Sequence, residues 1–202
     1  MTIDPLLAEA LGRLRGLFDE AHSRGLDEPW TAALATADLE ARPSVRTITI
    51  AAIDDEGPLF FVDGRSGKGR QLAANPHAAL CFFWPGLHYQ VIVEGDAIRI
   101  DDERADHYWN RRPRDSQIAA WASEMEPAED SEPEADNGVT SARQRFAWDA
   151  APRPPHWHAT RVAPTSLSFW KTGWRRLDAR EHYARDDAGR WHKERRRPLG
   201  GT

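Results

Sequence analysis

The segment Arg111-Arg112-Pro113-Arg114-Asp115-Ser116 places three guanidinium groups and a hydroxyl side by side, just ahead of the apolar stretch Ile118–Trp121. Arginine forks and a hydroxyl near a helix start are what a phosphate or a carboxylate needs. The apolar stretch would anchor that helix in a core. A solvated basic turn opening an ordinary helix is the plainer alternative, because short motifs recur by chance. A second basic segment, Gly64-Arg65-Ser66-Gly67-Lys68-Gly69-Arg70, has glycines that let backbone amides approach a phosphate, with Ser66 and Lys68 beside them. Its spacing is neither that of a Walker loop nor that of a dinucleotide fingerprint, and a basic turn explains it equally well. Arg46 lies in the otherwise apolar and hydroxylated run Ser44–Ile53, where a charge must face solvent or meet a partner. Holding a phosphate together with Lys68 is the sharper of these options.

Other chemistries lack their residues. His156 and His158 could share a strand face, but no cysteine or carboxylate beside them completes a metal set, so no metal is expected. There is no Gly-x-Ser-x-Gly elbow and no Cys/His arrangement that suggests a nucleophile. Two anion sites, many aromatics and no evident acid, base or nucleophile point to a phosphorylated cofactor that carries the chemistry itself.

These side chains need elements to position them. Leu7, Leu11, Leu14 and Phe18 recur at helical spacing, which predicts an amphipathic helix over 5–24. Trp30–Ala37, Ser44–Ile53 and Pro58–Asp63 read as strands, with Asp54-Asp55-Glu56-Gly57 as a turn. Ser66–Asn75 reads as a short helix stopped by Pro76. Ala78–Trp84 and Leu87–Ile100 read as strands joined at Pro85-Gly86, and Asp101–Asn110 as a helix. Seven of the thirteen residues Glu124–Asp136 are acidic, so 124–138 is expected to be a solvated, mobile loop. Ser141–Trp148 is expected to be helical. Arg161–Val162, Leu167–Lys171, Arg175–Tyr183 and Trp191–Lys193 read as closing strands, and the basic tail Arg190–Arg197 as a solvated edge. This order does not alternate strand with helix. It therefore predicts a mainly β fold with peripheral helices, a closed or split antiparallel barrel. The expected division is an N-terminal helical segment, 1–27, and a barrel domain, 28–202.

Composition narrows the class. The chain has 202 residues, 40% hydrophobic and 29% charged, as in a soluble globular protein. A formal net charge of −5 argues against a chain built mainly for nucleic acid. No window reaches the length of a membrane span and no signal peptide is evident, so a cytoplasmic protein is expected. The single cysteine, Cys81, excludes an intrachain disulfide and reads as a buried, inert thiol. The nine tryptophans could build a core or wall a site for a flat aromatic ligand.

Taken in order, these segments resemble the pyridoxine/pyridoxamine 5′-phosphate oxidase family. Arg46-Thr-Ile-Thr-Ile50 resembles its first flavin-phosphate strand, and Ser66-Gly-Lys68 through Pro76 its phosphate loop and helix. Tyr89-Gln90-Val91 resembles its central strand. Arg112-Pro-Arg-Asp-Ser116-Gln-Ile-Ala-Ala-Trp121 resembles its substrate-phosphate segment closely. Pro154-Pro-His-Trp157, Phe169-Trp170, Arg176-Leu177 and Arg180 resemble its C-terminal signature. The resemblance spans about residues 28–193. It implies an FMN-binding split β-barrel, homodimeric, with the cofactor at the interface. Arg46, Ser66 and Lys68 would hold the flavin phosphate and ribityl chain, and Gln90, Trp170 and Arg180 would line the cofactor site. Tyr108, Arg112 and Ser116 would grip the phosphate of a small-molecule substrate, and Arg176 would lie over its ring as the catalytic residue. The implied reaction passes a hydride from substrate to flavin. Oxygen then reoxidises the flavin, giving an aldehyde, pyridoxal 5′-phosphate, and hydrogen peroxide.

The chain departs from that family at several positions, and its C-terminal signature is incomplete: Leu167-Ser-Phe-Trp-Lys171 lacks the acidic residue, and Asp178-Ala179 replaces His-Asp. Ala51 stands where the family has a lysine that reaches the substrate phosphate, and Asp178 where it has a histidine near the substrate ring. Gly67 replaces an arginine of the phosphate loop, and Met125 a flavin-contacting glutamine. Flavin binding survives these changes better than vitamin B6 chemistry does. Alanine at the lysine position also fits the phenazine-biosynthesis branch, whose flavin oxidases act on reduced tricyclic acids. A non-catalytic flavin- or B6-phosphate-binding protein and a deazaflavin-dependent reductase on a related barrel are further alternatives.

Overall fold

The computed structural model describes residues 3–125, 135–147, 149–171 and 180–196. Its elements are α1 (Pro5–Ser23), β1 (Thr31–Ala37), β2 (Pro43–Asp54), β3 (Gly57–Asp63), α2 (Gly67–Ala74), β4 (His77–Trp84) and β5 (Tyr89–Arg99). They continue as α3 (Asp102–Trp109), α4 (Arg114–Met125), α5 (Ala135–Arg145), β6 (Trp157–Lys171), β7 (Arg180–Arg185) and β8 (Trp191–Arg196). The chain divides into two compact units: residues 1–99 with 159–202, and residues 100–158.

The first unit is the barrel. Its strands run in the order β3-β2-β1-β4-β5-β6, and β3 also pairs with β6, which closes six strands; β7 and β8 extend the sheet beyond β6. The pairing is antiparallel along the series. The expected mainly β barrel with peripheral helices is therefore what forms. Closure removes the exposed strand edges that an open sheet would leave. β1 alternates buried and half-buried residues, the mark of a strand with one face on the core. β3, with Leu59-Phe60-Phe61-Val62, is buried on both faces. Leu34, Phe60, Leu80, Phe82, Val91, Val93 and Leu167 are fully buried among the core residues.

α1 begins where Asp4 accepts a hydrogen bond from the Leu6 amide (2.9 Å) and Pro5 takes the first helical position. Its Ala10, Leu11, Leu14, Leu17 and Ala21 are buried in the barrel core cluster. Each buried leucine contributes about 1.5–3 kcal/mol. Glu9 reinforces the docking by accepting from the Tyr183 hydroxyl (2.8 Å) and from Lys193 (2.7 Å). These donors hold the Glu9 carboxyl below its ordinary pKa, Lys193 being the larger cause.

Several boundaries differ from expectation, each for a local reason. β5 starts at Tyr89 because Pro85–Leu87 form a single 3-10 turn, with His88 left-handed at φ 56°. Arg161–Val162 and Leu167–Lys171 are not two strands but one, β6. Pro164 is tolerated because the register shifts there, Gly95 pairing with Pro164 and Glu94 with Ser166. Gly95 is required at that bulge, since a Cβ would lie 2.0 Å from the Ala163 carbonyl oxygen. Cys81 is half-buried rather than buried, and partial burial pushes its thiol pKa up, which keeps it unreactive.

The second unit is helical. Asp101 caps α3 by accepting from the Arg104 amide (2.8 Å). Ile118, Trp121, Ala142, Phe146 and Ala151 form its apolar cluster, so the stretch after Ser116 does anchor α4. Both flanks of the expected acidic loop 124–138 are helical instead: α4 runs through Met125 and α5 starts at Ala135, which also places the start of the helix expected at Ser141 earlier. The rest of that segment lies outside the described residues. Among the described residues, no helix is long and apolar enough to cross a membrane.

Candidate cofactor and substrate site

In the barrel unit, β2 turns Ser44, Arg46, Ile48 and Ile50 inward and leaves Val45, Thr47, Thr49 and Ala51 exposed. Arg46 is therefore half-buried, and among the described residues it bonds neutral groups and no carboxylate. It donates to the Thr36 hydroxyl (2.7 Å), the Leu34 carbonyl (3.2 Å) and the Gln71 side-chain oxygen (3.2 Å). Thr36 donates to Gln71 (2.6 Å), and Gln71 donates to Ser44 (3.1 Å), so a neutral polar network fixes the guanidinium. Partial burial lowers the Arg46 pKa.

Lys68, in the first turn of α2, is also half-buried, and its pKa is lowered first by burial and then by repulsion from Arg46. Asp63 opposes this effect only in part. Its carboxylate is engaged by Arg65, at 2.8 Å from one guanidinium nitrogen. Two like charges held together, with Asp63 already engaged by Arg65, describe an anion site. The first amides of α2 add donors with no partner inside the helix. Ser66 shapes this turn: its hydroxyl donates to the Asp63 carbonyl (2.6 Å) and accepts from the Gly69 amide (3.2 Å) as the helix cap. Gly69 is needed for closeness rather than for the anion, because a Cβ there would lie 2.3 Å from the Asp63 carbonyl oxygen. This donor set suits the phosphate end of FMN.

Gln90, Trp170 and Arg180 form one row across three strands, Gln90 opposite Trp170 on β6 and Trp170 opposite Arg180 on β7. Trp170 is 42% exposed, so an aromatic face is available beside an amide and a guanidinium. Arg180 lies 3.4 Å from the Ser168 hydroxyl, which also pairs with His182 (2.8 Å).

In the helical unit, Tyr108 sits in the last turn of α3, Arg112 in the connecting turn and Ser116 in the first turn of α4. Arg112 lies over two indoles, 5.3 Å from the Trp109 ring centre and 5.8 Å from that of Trp157. Burial pushes its pKa down to about 10, the mark of a cation held in apolar surroundings. Trp109 is itself immobilised, since its indole donates to the Ala151 carbonyl (2.8 Å) and its carbonyl accepts from Gln117 (3.0 Å). Arg114, by contrast, is spent on the Phe146 carbonyl, so it is structural.

Arg176 and Asp178 lie outside the described residues, so two expected neighbours of the substrate ring are not placed. Ala51 is exposed at a bulge of β2, between the pairs Ile50–Phe60 and Ala52–Leu59. Sequence reasoning misses the network Thr36–Gln71–Ser44 and the edge-to-face pairing of Trp109 with Trp157. Their sequence signals are weak, because each residue gains its role from a partner distant in the chain.

The sequence profile described as Pyridoxamine 5'-phosphate oxidase matches residues 18–171. A pyridoxine/pyridoxamine 5′-phosphate oxidase of Anaeromyxobacter dehalogenans is 40% identical over 190 residues, covering 94% of this chain and 96% of its own. PhzG of Burkholderia lata, solved in complex with tetrahydrophenazine-1-carboxylic acid, superposes with a TM-score of 0.83 at 27% identity. That match covers 98% of this chain and 94% of PhzG. A pyridoxamine 5′-phosphate oxidase-related, FMN-binding protein of Nostoc punctiforme shares the fold, with a TM-score of 0.72 at 21% identity over 98% of this chain and all of its own.

Proposed function

This chain belongs to the pyridoxamine 5′-phosphate oxidase family, and from that premise we propose that it oxidises pyridoxamine or pyridoxine 5′-phosphate at the expense of oxygen. FMN is the cofactor; when bound, it supplies the hydride acceptor and the reactivity with oxygen. Arg46, Lys68 and the first turn of α2 hold its phosphate, with Ser66 shaping that turn. Gln90, Trp170 and Arg180 line the rest of the cofactor site. Tyr108, Arg112 and Ser116 grip the substrate phosphate, and Arg176 orients the substrate ring. The observation that carries this reading is Arg112: a charged guanidinium held against two indoles, its pKa depressed by burial, is poised to bind a dianion.

A homodimer goes with this reading. The outer face of the sheet carries exposed Val45, Phe83 and Trp170, while Ala35 and Ala79 lie between Val45 and Glu94 in one cross-strand row. A surface of large apolar side chains beside small ones suits burial against a second copy.

A second reading has its own observation. Ala51 provides no ammonium group at the exposed bulge, and PhzG resembles this chain over nearly its whole length. The alternative substrate is then a reduced tricyclic carboxylate. Oxygen uptake by the FMN-loaded protein with B6 phosphates and with reduced heterocycles separates the two. The primary reading expects pyridoxal 5′-phosphate and peroxide from the B6 phosphates, and a gain in that activity from Ala51→Lys with Asp178→His. Turnover confined to tricyclic acids, with no gain from the double variant, selects the alternative. FMN binding without any turnover makes the protein a binding module.

A further inference from the structure

We infer that the indole N–H of Trp157 is a further ligand of the phosphate group gripped by Arg112, so that one side chain both packs the cation and donates to its anion. The inference rests on the reading of Arg112 as a substrate-phosphate residue. Trp157 Nε1 is buried and has no hydrogen-bond partner among the described residues. Buried donors are nearly always satisfied, and an unmade bond costs the desolvation of the group, so an orphaned indole N–H calls for an acceptor. Its neighbours show the contrast. Trp109 donates to Ala151 and Trp121 to Pro152 (2.6 Å), both to backbone carbonyls of their own unit. Of these three indoles, Trp157 alone lacks such a carbonyl, and it is one of the two that pack on Arg112.

The location supports an anion as that acceptor. The Trp157 ring stands edge-on to Trp109, centres 6.2 Å apart, and the Arg112 guanidinium packs against both. The guanidinium and the indole that carries the orphaned N–H are thus neighbours, 5.8 Å from charge centre to ring centre. A phosphate spreads three acceptor oxygens, enough to serve a guanidinium and an indole together. Trp157 is also held in place for this task. Its amide donates to the Pro154 carbonyl (3.0 Å), and its carbonyl accepts from Arg153 (2.5 Å). Arg153 is anchored in turn on α3 by Asp102 (2.9 Å) and Asp106 (2.7 Å).

The test is an NMR titration of the FMN-loaded protein carrying 15N-labelled tryptophan, with pyridoxal 5′-phosphate, inorganic phosphate and unphosphorylated pyridoxal. The Trp157 indole resonance is expected to move with both phosphate compounds and not with pyridoxal. Trp157→Phe keeps the ring over Arg112 and removes the donor. It is expected to weaken pyridoxal 5′-phosphate binding about tenfold, raising KM and leaving kcat. Saturable binding of pyridoxal 5′-phosphate with an unmoved Trp157 resonance overturns this inference alone. No binding of either phosphate compound overturns it together with the phosphate-grip reading. The wild-type titration reads the N–H directly, so its outcome does not depend on how well the variant folds.

Discussion

At the scale of residues, two cations carry most of the functional account, and each makes a measurable prediction. Burial and repulsion from Arg46 both act on Lys68, and on the proposed function removing it sacrifices a charge-assisted contact to the flavin phosphate. Lys68→Met is expected to weaken FMN binding by about 1.5–3 kcal/mol, roughly 10- to 150-fold, in a fluorescence titration; unchanged affinity would place the phosphate elsewhere. Arg112 predicts a pH dependence. Its pKa is depressed to about 10, and a bound dianion favours the protonated form. Affinity for phosphorylated ligands should thus fall as pH rises through about 10, and more steeply than that for unphosphorylated pyridoxal. These residues are legible in sequence because basic side chains interrupt apolar or glycine-rich surroundings at Arg46, Lys68 and Arg112. The roles of Thr36 and Gln71 beside Arg46 are not, since a neutral side chain at a strand or helix position carries no sign of the charge it will support.

At the scale of elements, hydrophobic periodicity locates α1 and most barrel strands to within a residue or two, because one-sided burial forces the pattern. It fails where a partner strand decides the outcome. Pro164 looks like a strand end until the bulge opposite Gly95 is known. The acidic composition around Glu124 hides helical flanks, because α4 and α5 are anchored by Ile118, Trp121, Ala142 and Phe146 on either side of it. Closure of the barrel adds an ionic clasp: Arg161 on β6, its side chain 7% exposed, bonds Asp54 and Glu56 (2.6 Å) of the β2–β3 hairpin. The burial is one-sided, as Glu56 is 59% exposed. Removing both carboxylates strands a buried cation and should cost about 3–5 kcal/mol. Arg161→Met lets the carboxylates return to water and should cost about 1 kcal/mol. Urea unfolding of the two variants measures this asymmetry, and equal losses would contradict it.

At the scale of the whole molecule, fold class is legible from the order of elements, and the family from motifs spread along the chain. The proposed dimer rests on the resemblance and on exposed Val45, Phe83 and Trp170, because a strand face that packs on a second copy looks in sequence like any other. Sedimentation is expected to give a dimer, and Phe83→Glu, which puts a charge on the outer sheet face, to give a monomer with weakened FMN binding. A wild-type monomer that binds FMN fully would remove the dimer from the account. The central claim is that substrate passes a hydride to FMN, and anaerobic mixing tests it most directly. FMN-loaded protein mixed with pyridoxamine 5′-phosphate without oxygen should lose its oxidised flavin absorbance, with one pyridoxal 5′-phosphate formed per flavin reduced. Flavin that stays oxidised under saturating pyridoxamine and pyridoxine 5′-phosphates would contradict it.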